Sequence, residues 1–256
     1  MRLRGRLLPT SELTDVDRRA MLALMDRHYA GFCSHRFATD LAEKDWVVAL
    51  YDRGGELRGF STQKVLSRQF EGQTVRALFS GDTIVDREHW GDPALSHVWG
   101  RLALEMIDAV GDAELYWFLI SQGFRTYRFL PVFFHEFYPC HDQIPPTRIQ
   151  RLLNALAVER FGDALDPSRG IVRASCDQYR LRDSLAAVPS AKRRDPHVEF
   201  FLRANPNCAY GDELCCLAPL TRENFTPAAW RVIHAGTPPQ LSPQVGGTIE
   251  CQLPLG

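Results

Sequence analysis

The chain lacks a long apolar run. Nowhere in its 256 residues do about 18 consecutive apolar residues occur, the length a membrane-spanning helix needs, so no such helix and no membrane partner are expected. It also lacks a charge of one sign. Its 30 Lys and Arg stand against 31 Asp and Glu, a formal net charge of −1. No broad field draws it to nucleic acid or anionic lipid, and no nucleic-acid partner is expected. It has few cysteines, 7, an odd number and widely scattered. A secreted disulfide framework is dense and even, so reduced thiols and a cytoplasmic location are expected. The Arg-rich start, Met1 to Leu8, lacks a following apolar stretch and a small-residue cleavage site, so it does not read as a secretory signal. Internal repeats and low-complexity tracts are absent too. What remains is ordinary globular composition, 45% hydrophobic and 24% charged, long enough to bury a substantial core.

Periodicity then orders the chain. Thr14 to Tyr29 carries Met21, Leu22, Leu24 and Met25 at helical spacing, with Thr14 as N-cap and acidic residues in the first turn. A short helix over Ser34 to Lys44 follows. Trp46–Tyr51, Leu57–Leu66 and the pair Thr74–Phe79 and Thr83–Val85 read as a three-strand antiparallel meander. Its turns are Asp52-Arg53-Gly54-Gly55 and Glu71-Gly72-Gln73. Ser80-Gly81-Asp82 interrupts the third strand, and a glycine there marks a bulge or a close approach. After a loop, Asp92-Pro93 opens a helix over Ala94 to Val110. Leu115 to Ile120 is wholly apolar apart from its aromatic hydroxyl, as in a strand covered on both faces.

Beyond it, Phe124 to Tyr138 reads as an aromatic-rich helix that Pro131 kinks, which either packs on the sheet or walls a channel for a long acyl chain. Thr147 to Phe161 is an amphipathic helix. His197–Ala204 and Thr226–His234 read as helices, Gly211–Leu217 as a strand, and the tail from Gly236 as extended. Three parts are therefore expected: a core over 1–142, an insertion or lid over 143–195, and a segment over 196–256 that completes the sheet and ends in a tail.

The order of two helices, three-strand meander, loop, helix, buried strand and helix resembles the GCN5-related N-acetyltransferase (GNAT) superfamily. More distantly it is similar to the N-acyl amino acid and acyl-homoserine-lactone synthases, which share that fold. The resemblance implies an α/β fold with a mixed, largely antiparallel sheet flanked by helices, here with a helical insertion and a C-terminal extension. It implies an acyltransferase that moves an acyl group from a thioester, acyl-CoA or an acyl-pantetheine arm, to a small-molecule amine. No metal is expected, because His135, Cys140 and His141 do not repeat a metal-ligand spacing. In the family, the strand before the main helix and the buried strand after it splay apart to hold the arm. Thr83, Ile84 and Val85 on the first strand, the loop residues Arg87, Trp90 and Gly91, and Ser121 on the second are then the binding candidates.

The loop Arg87-Glu88-His89-Trp90-Gly91-Asp92-Pro93-Ala94 keeps an Arg and one Gly of the family's Arg/Gln-x-x-Gly-x-Gly/Ala pattern, shifted by one position. Asp is anionic and Pro lacks an N–H, so both suit a phosphate poorly. An acyl-carrier protein therefore stands beside coenzyme A as donor.

Acyl transfer needs a base, donors for the oxyanion and an acid for the departing thiolate. Asp82 is the candidate base or amine anchor, or else a residue that stabilises the bulge. Tyr127 and Tyr138 are candidate acids, or else core aromatics. His135 is a candidate base, or else a surface residue. Two alternatives belong to other classes: a catalytically silent GNAT-like binding module, and a Cys/His-dependent hydrolase built on Cys140, His141 and Asp142.

Overall fold

The computed structural model describes residues 2–174, 180–182 and 187–235. The tail from Gly236 lies outside them. The chain opens on β1 (Arg4–Pro9), an edge strand that the basic start had not suggested, and continues into α1 (Asp15–His28). Thr14 caps α1 in a reciprocal capping box with Asp17, which satisfies two of the helix's orphan N–H groups at once. β2 (Tyr29–Ala30) and α2 (Ser34–Ala42) follow. The meander is β3 (Trp46–Tyr51), β4 (Leu57–Phe70) and β5 (Gln73–Val85). Then come α3 (Ala94–Ala109), β6 (Glu114–Ser121), α4 (Phe124–Tyr127), α5 (Phe129–Phe133) and α6 (Thr147–Phe161). The rest is β7 (Leu165–Asp166), β8 (Ile171–Val172), β9 (Arg180–Leu181), α7 (Pro196–Ala204), β10 (Glu213–Pro219) and α8 (Pro227–His234).

Among the described residues, eight strands form one sheet in the order β1-β3-β4-β5-β6-β10-β8-β7, and β2 pairs with β9 apart from it. All pairings are antiparallel except β5 with β6. This is the mixed, largely antiparallel α/β sheet that the resemblance implies. Within 143–195, α6 packs against β10, while β7 and β8 extend the sheet.

The sheet is covered on both faces, and its alternation shows how. In β3, Val47 and Ala49 join a cluster with Met21, Leu24, Met25 and Phe37 of α1 and α2. Trp46, Val48 and Leu50 point the other way, into a larger core with Val98, Trp99 and Leu102 of α3. Each fully buried Leu or Phe in these clusters contributes on the order of 2 kcal/mol.

The aromatic run Phe124 to Tyr138 is not one helix. It makes two short turns of helix, α4 and α5, and then extends, with bridges from Phe134 to Phe225 and from Tyr138 to Leu217. Its rings fill the core, where Phe133 and Phe134 pack on Trp99, and Tyr127 packs on Phe200 and Phe201. Of the two readings of this run, packing in the core fits its rings, and among the described residues only Phe129 of them lines the cavity or the notch beside it.

Candidate active site

The site begins with a bulge. Ser61 pairs with Thr83 and Gln63 with Ser80, so two steps along β4 are matched by three along β5. The extra residue bends β5 away from its other neighbour. β5 and β6 are paired in parallel from Val75/Glu114 to Ser80/Leu119 and no further. Beyond that point β6 pairs only with β10, where Ile120 meets Cys215 and Ser121 meets Leu214. Among the described residues, Gly81 to Val85 thus run on without a strand partner on the β6 side, and the two strands enclose a wedge.

A buried polar network fixes the bulge. Trp117 Nε1 donates to Ser80 Oγ (2.9 Å), Ser80 to Gln63 Oε1 (2.7 Å), and Gln63 Nε2 to Ser61 Oγ (2.8 Å). Ser61 and Thr83 share a hydroxyl–hydroxyl bond of 2.7 Å. Such a chain, satisfied at each member, specifies one geometry. Gly81 sits where a Cβ would stand 2.7 Å from Thr62 Oγ1 and 3.0 Å from Lys44 Cε, so no larger residue fits without displacement. Lys44 is itself buried and paired with Asp40, which Arg160 also binds. Burial pulls the Lys44 ammonium's pKa down, and Asp40 opposes that pull.

The wedge opens into a cavity of about 540 Å³. Phe79, Leu95, Ile120, Phe129, Phe161 and Leu181 supply apolar wall, while Asp40, Asp82, Glu213, Arg36, Arg160 and Arg173 supply charge. A notch of about 30 Å³ continues it between the parted strands, lined by Ser80, Gly81, Trp99, Trp117 and Leu119. Glu213 leads β10 into the cavity. Enclosure by protein, then the charges of Asp82 and Asp40, push its carboxyl up to about 8, with Arg36 opposing. Tyr29 is buried on the same wall, and its phenol is pushed far up, first by burial and then by Asp82 and Glu213. The three groups therefore sense one another across one pocket. Two buried donors, Gln122 Nε2 on the cavity and Trp99 Nε1 on the notch, have no hydrogen-bond partner among the described residues.

The candidates named from sequence divide cleanly. Asp82, Thr83, Ile84, Val85, Trp90 and Gly91 all line the cavity. Arg87 stands exposed at its rim, 5.8 Å from the Trp90 ring centroid. Ser121 is fully buried beside the Cys216 thiol, off the cavity lining. Tyr127 donates to the Pro139 carbonyl (2.9 Å), and burial pushes its pKa up; it does not line the cavity. Tyr138 donates to Glu136 (3.2 Å) and is pushed up to about 12 by burial and by that carboxylate, again off the cavity. His135 is exposed, and its backbone N–H donates to Asn224 O. Cys140 is buried with its thiol on the Gln143 carbonyl, and burial raises its pKa, the reverse of what a thiolate nucleophile needs. Glu213, Tyr29 and Gln122 are the residues that sequence reasoning missed. An acid opening the apolar run Glu213-Leu214-Cys215-Cys216-Leu217 was the one available signal.

No known protein family and no curated protein matches the chain. Among solved structures, the chain is similar to a protein of Enterococcus faecalis titled a probable N-acyltransferase (13% identity over 48% of this chain and 31% of that one, TM-score 0.37). The present chain thus spans about a third of that protein's length. It is also similar to a GNAT family N-acetyltransferase from Escherichia coli in complex with CoA (14% identity, 50% and 69% of the two chains, TM-score 0.33). A third likeness is to NAA60 of Arabidopsis thaliana with a bisubstrate analogue (13% identity, 55% and 89%, TM-score 0.37). No helix of the described residues is long and apolar enough to cross a membrane.

Proposed function

We propose that the chain is an acyltransferase that moves a short acyl group from a pantetheine thioester to an amine. The observation that carries this reading is the parting of β5 and β6 over a cavity with Asp82 and Glu213 on its wall. An unpaired strand edge and the two orphaned donors of Gln122 and Trp99 suit the amide groups of a pantetheine arm. The notch holds about two water-sized groups, which suits an acetyl-sized chain.

Asp82 attracts the acceptor as its ammonium ion and orients it, and the ammonium sheds one proton to bulk water to give the neutral amine that reacts. As the amine nitrogen attacks the thioester carbonyl carbon, the C–N bond forms and the nitrogen's proton passes to the Glu213 carboxylate. A base that titrates near 8 is well matched to that transfer at neutral pH. The C–S bond then breaks, and the thiolate takes a proton from the Tyr29 phenol, which Glu213 restores. Amide and thiol leave, and the carboxylate is free again.

The test is thiol release from acetyl and longer acyl thioesters against a panel of amines, with melting temperature followed in parallel. Thioester should raise the melting temperature by mass action, and thiol should appear only when an amine is present. Unchanged melting and no thiol with any donor would rule the reading out. They would favour a catalytically silent binding module, for which the carboxylate seated at the tip of α3 is the supporting observation.

A further inference from the structure

The loop between β5 and α3 walls the cavity beside the wedge. Trp90, Gly91 and Asp92 line the cavity, and Leu95, in the first turn of α3, lines both the cavity and the notch. A helix tip draws anions when consecutive N–H groups lie open at it. Here the approach to the tip is closed. The N–H groups of His89, Trp90 and Asp92 donate to the Asp86, Arg87 and His89 carbonyls at 2.8, 3.2 and 3.0 Å, and Pro93 has none to offer. Ala94, the first residue of α3, donates its N–H to Asp92 Oδ1 (2.9 Å).

Asp92 thus stands where an anion would. Its other oxygen, Oδ2, accepts from the Leu3 N–H (3.0 Å) at the head of β1, so the carboxylate is pinned from two sides. Among the described residues no Lys, Arg or His pairs with it. The guanidinium groups of Arg87 and Arg125 meet instead at the Trp90 ring, 5.8 and 4.0 Å from its centroid. Asp92 already complements the positive end of the α3 dipole. A second anion at the tip would meet a like charge well inside the screening length of about 8 Å.

We propose that Asp92 sets the class of donor: it bars a diphosphate from the α3 tip, so that the chain takes an acyl-pantetheine arm not joined to a nucleotide diphosphate. This rests on the acyltransferase reading and narrows its donor. With the acyl group in the notch, the arm leaves the wedge past Leu95 and Asp92, and whatever follows the arm is met by the carboxylate. Recognition comes from the edge of β5 that β6 has left and from the cavity wall. The nucleotide of coenzyme A adds charge there without adding contact. Asp92 moves no proton; its part is to discriminate between donors by repulsion.

Calorimetric titration of the full chain with pantetheine and with coenzyme A, in dilute buffer and in salt, reads that repulsion. In wild type, coenzyme A should bind at least about threefold more weakly than pantetheine in dilute buffer, the size of one like charge at a helix tip. Salt at about 1 M should close the gap, which a merely structural role for Asp92 would not do. Asp92→Asn keeps a cap for Ala94 and removes the charge. In it, coenzyme A should gain about tenfold, while pantetheine changes by less than about twofold and reports an intact slot. Asp92→Ser also caps and lacks the charge, and it repeats the test should the first variant not fold. A wild-type preference for coenzyme A of about tenfold would mean that Arg87 and Arg125 outweigh the carboxylate. A ratio of the two affinities that neither substitution moves would mean that the charge at the tip is not felt. Either result overturns the exclusion but leaves acyl transfer standing. Failure of the folded wild type and of both variants to bind either probe overturns both.

Discussion

The same two strands behave in opposite ways along their length. From Val75 to Ser80, β5 is paired with β6 and its side chains are largely buried; there Phe79 packs on Phe118, and Trp117 packs on Trp99. From Gly81 to Val85, the strand has lost that partner and is bordered by carboxylates, guanidinium groups and a buried lysine. The closed end is a core and the open end lines the cavity. What divides them is one extra residue at a bulge, held by five polar side chains beneath it. Stability and chemistry are thus assigned to adjacent stretches of one strand pair, and each can be attacked separately.

The open end should break most sharply at Glu213. Glu213→Gln removes the proposed base, and thiol release should fall by about 10²–10⁴-fold while the circular dichroism spectrum is unchanged. The same variant sharpens the contrast through pH. The carboxyl titrates near 4.5 when unfolded and near 8 when folded, so the folded state holds the extra proton between those values. Its contribution to stability is fully present below about pH 4.5 and is lost as pH rises through about 8. Wild type and Glu213→Gln should melt together at pH 5, and the variant should melt higher at pH 9. Equal melting at both pH values would mean that Glu213 is solvated like a surface residue.

The hinge between the two ends comes next. Gly81→Ala places a methyl group against Thr62 and Lys44 and should cost about 1–3 kcal/mol as overpacking, read from urea midpoints. Activity should drop with it, because Asp82 is carried by the same bulge. Trp117→Phe keeps the closed end apolar but leaves the Ser80 hydroxyl without the indole that donates to it, worth about 1 kcal/mol. The smallest effect belongs far from both ends: Thr14→Ala should lose about 1 kcal/mol of cap energy with thiol release per folded molecule unchanged.

The regular elements away from the open end were the legible part. Strands β3, β4 and β6, helix α6 and the cap at Thr14 follow from period, turn chemistry and a threonine placed before acids, all of which are local. β1 escaped because Arg4-Gly5-Arg6 breaks the alternation that would have marked it. The run from Phe124 to Tyr138 misled because uniform aromatic content carries no period, so neither helix nor extended chain is favoured by pattern. Asp82 was singled out by its place on the strand before the loop, where the resemblance sets a base or an amine anchor. Tyr29, Gln122 and Glu213 were not, since each is a lone polar residue beside an apolar run. Their meeting depends on β2, β6 and β10 converging from points far apart in sequence, which no local signal records.

The placement of the tryptophans gives the molecule built-in reporters of its two ends. Trp46, buried in the core and off the lining of both the cavity and the notch, emits from an apolar setting and loses that character only when the core comes apart. Trp90 stands in partial contact with solvent under a guanidinium group, so its emission follows whatever enters the slot. A single fluorescence spectrum therefore tracks occupancy and unfolding as separable signals, without a label.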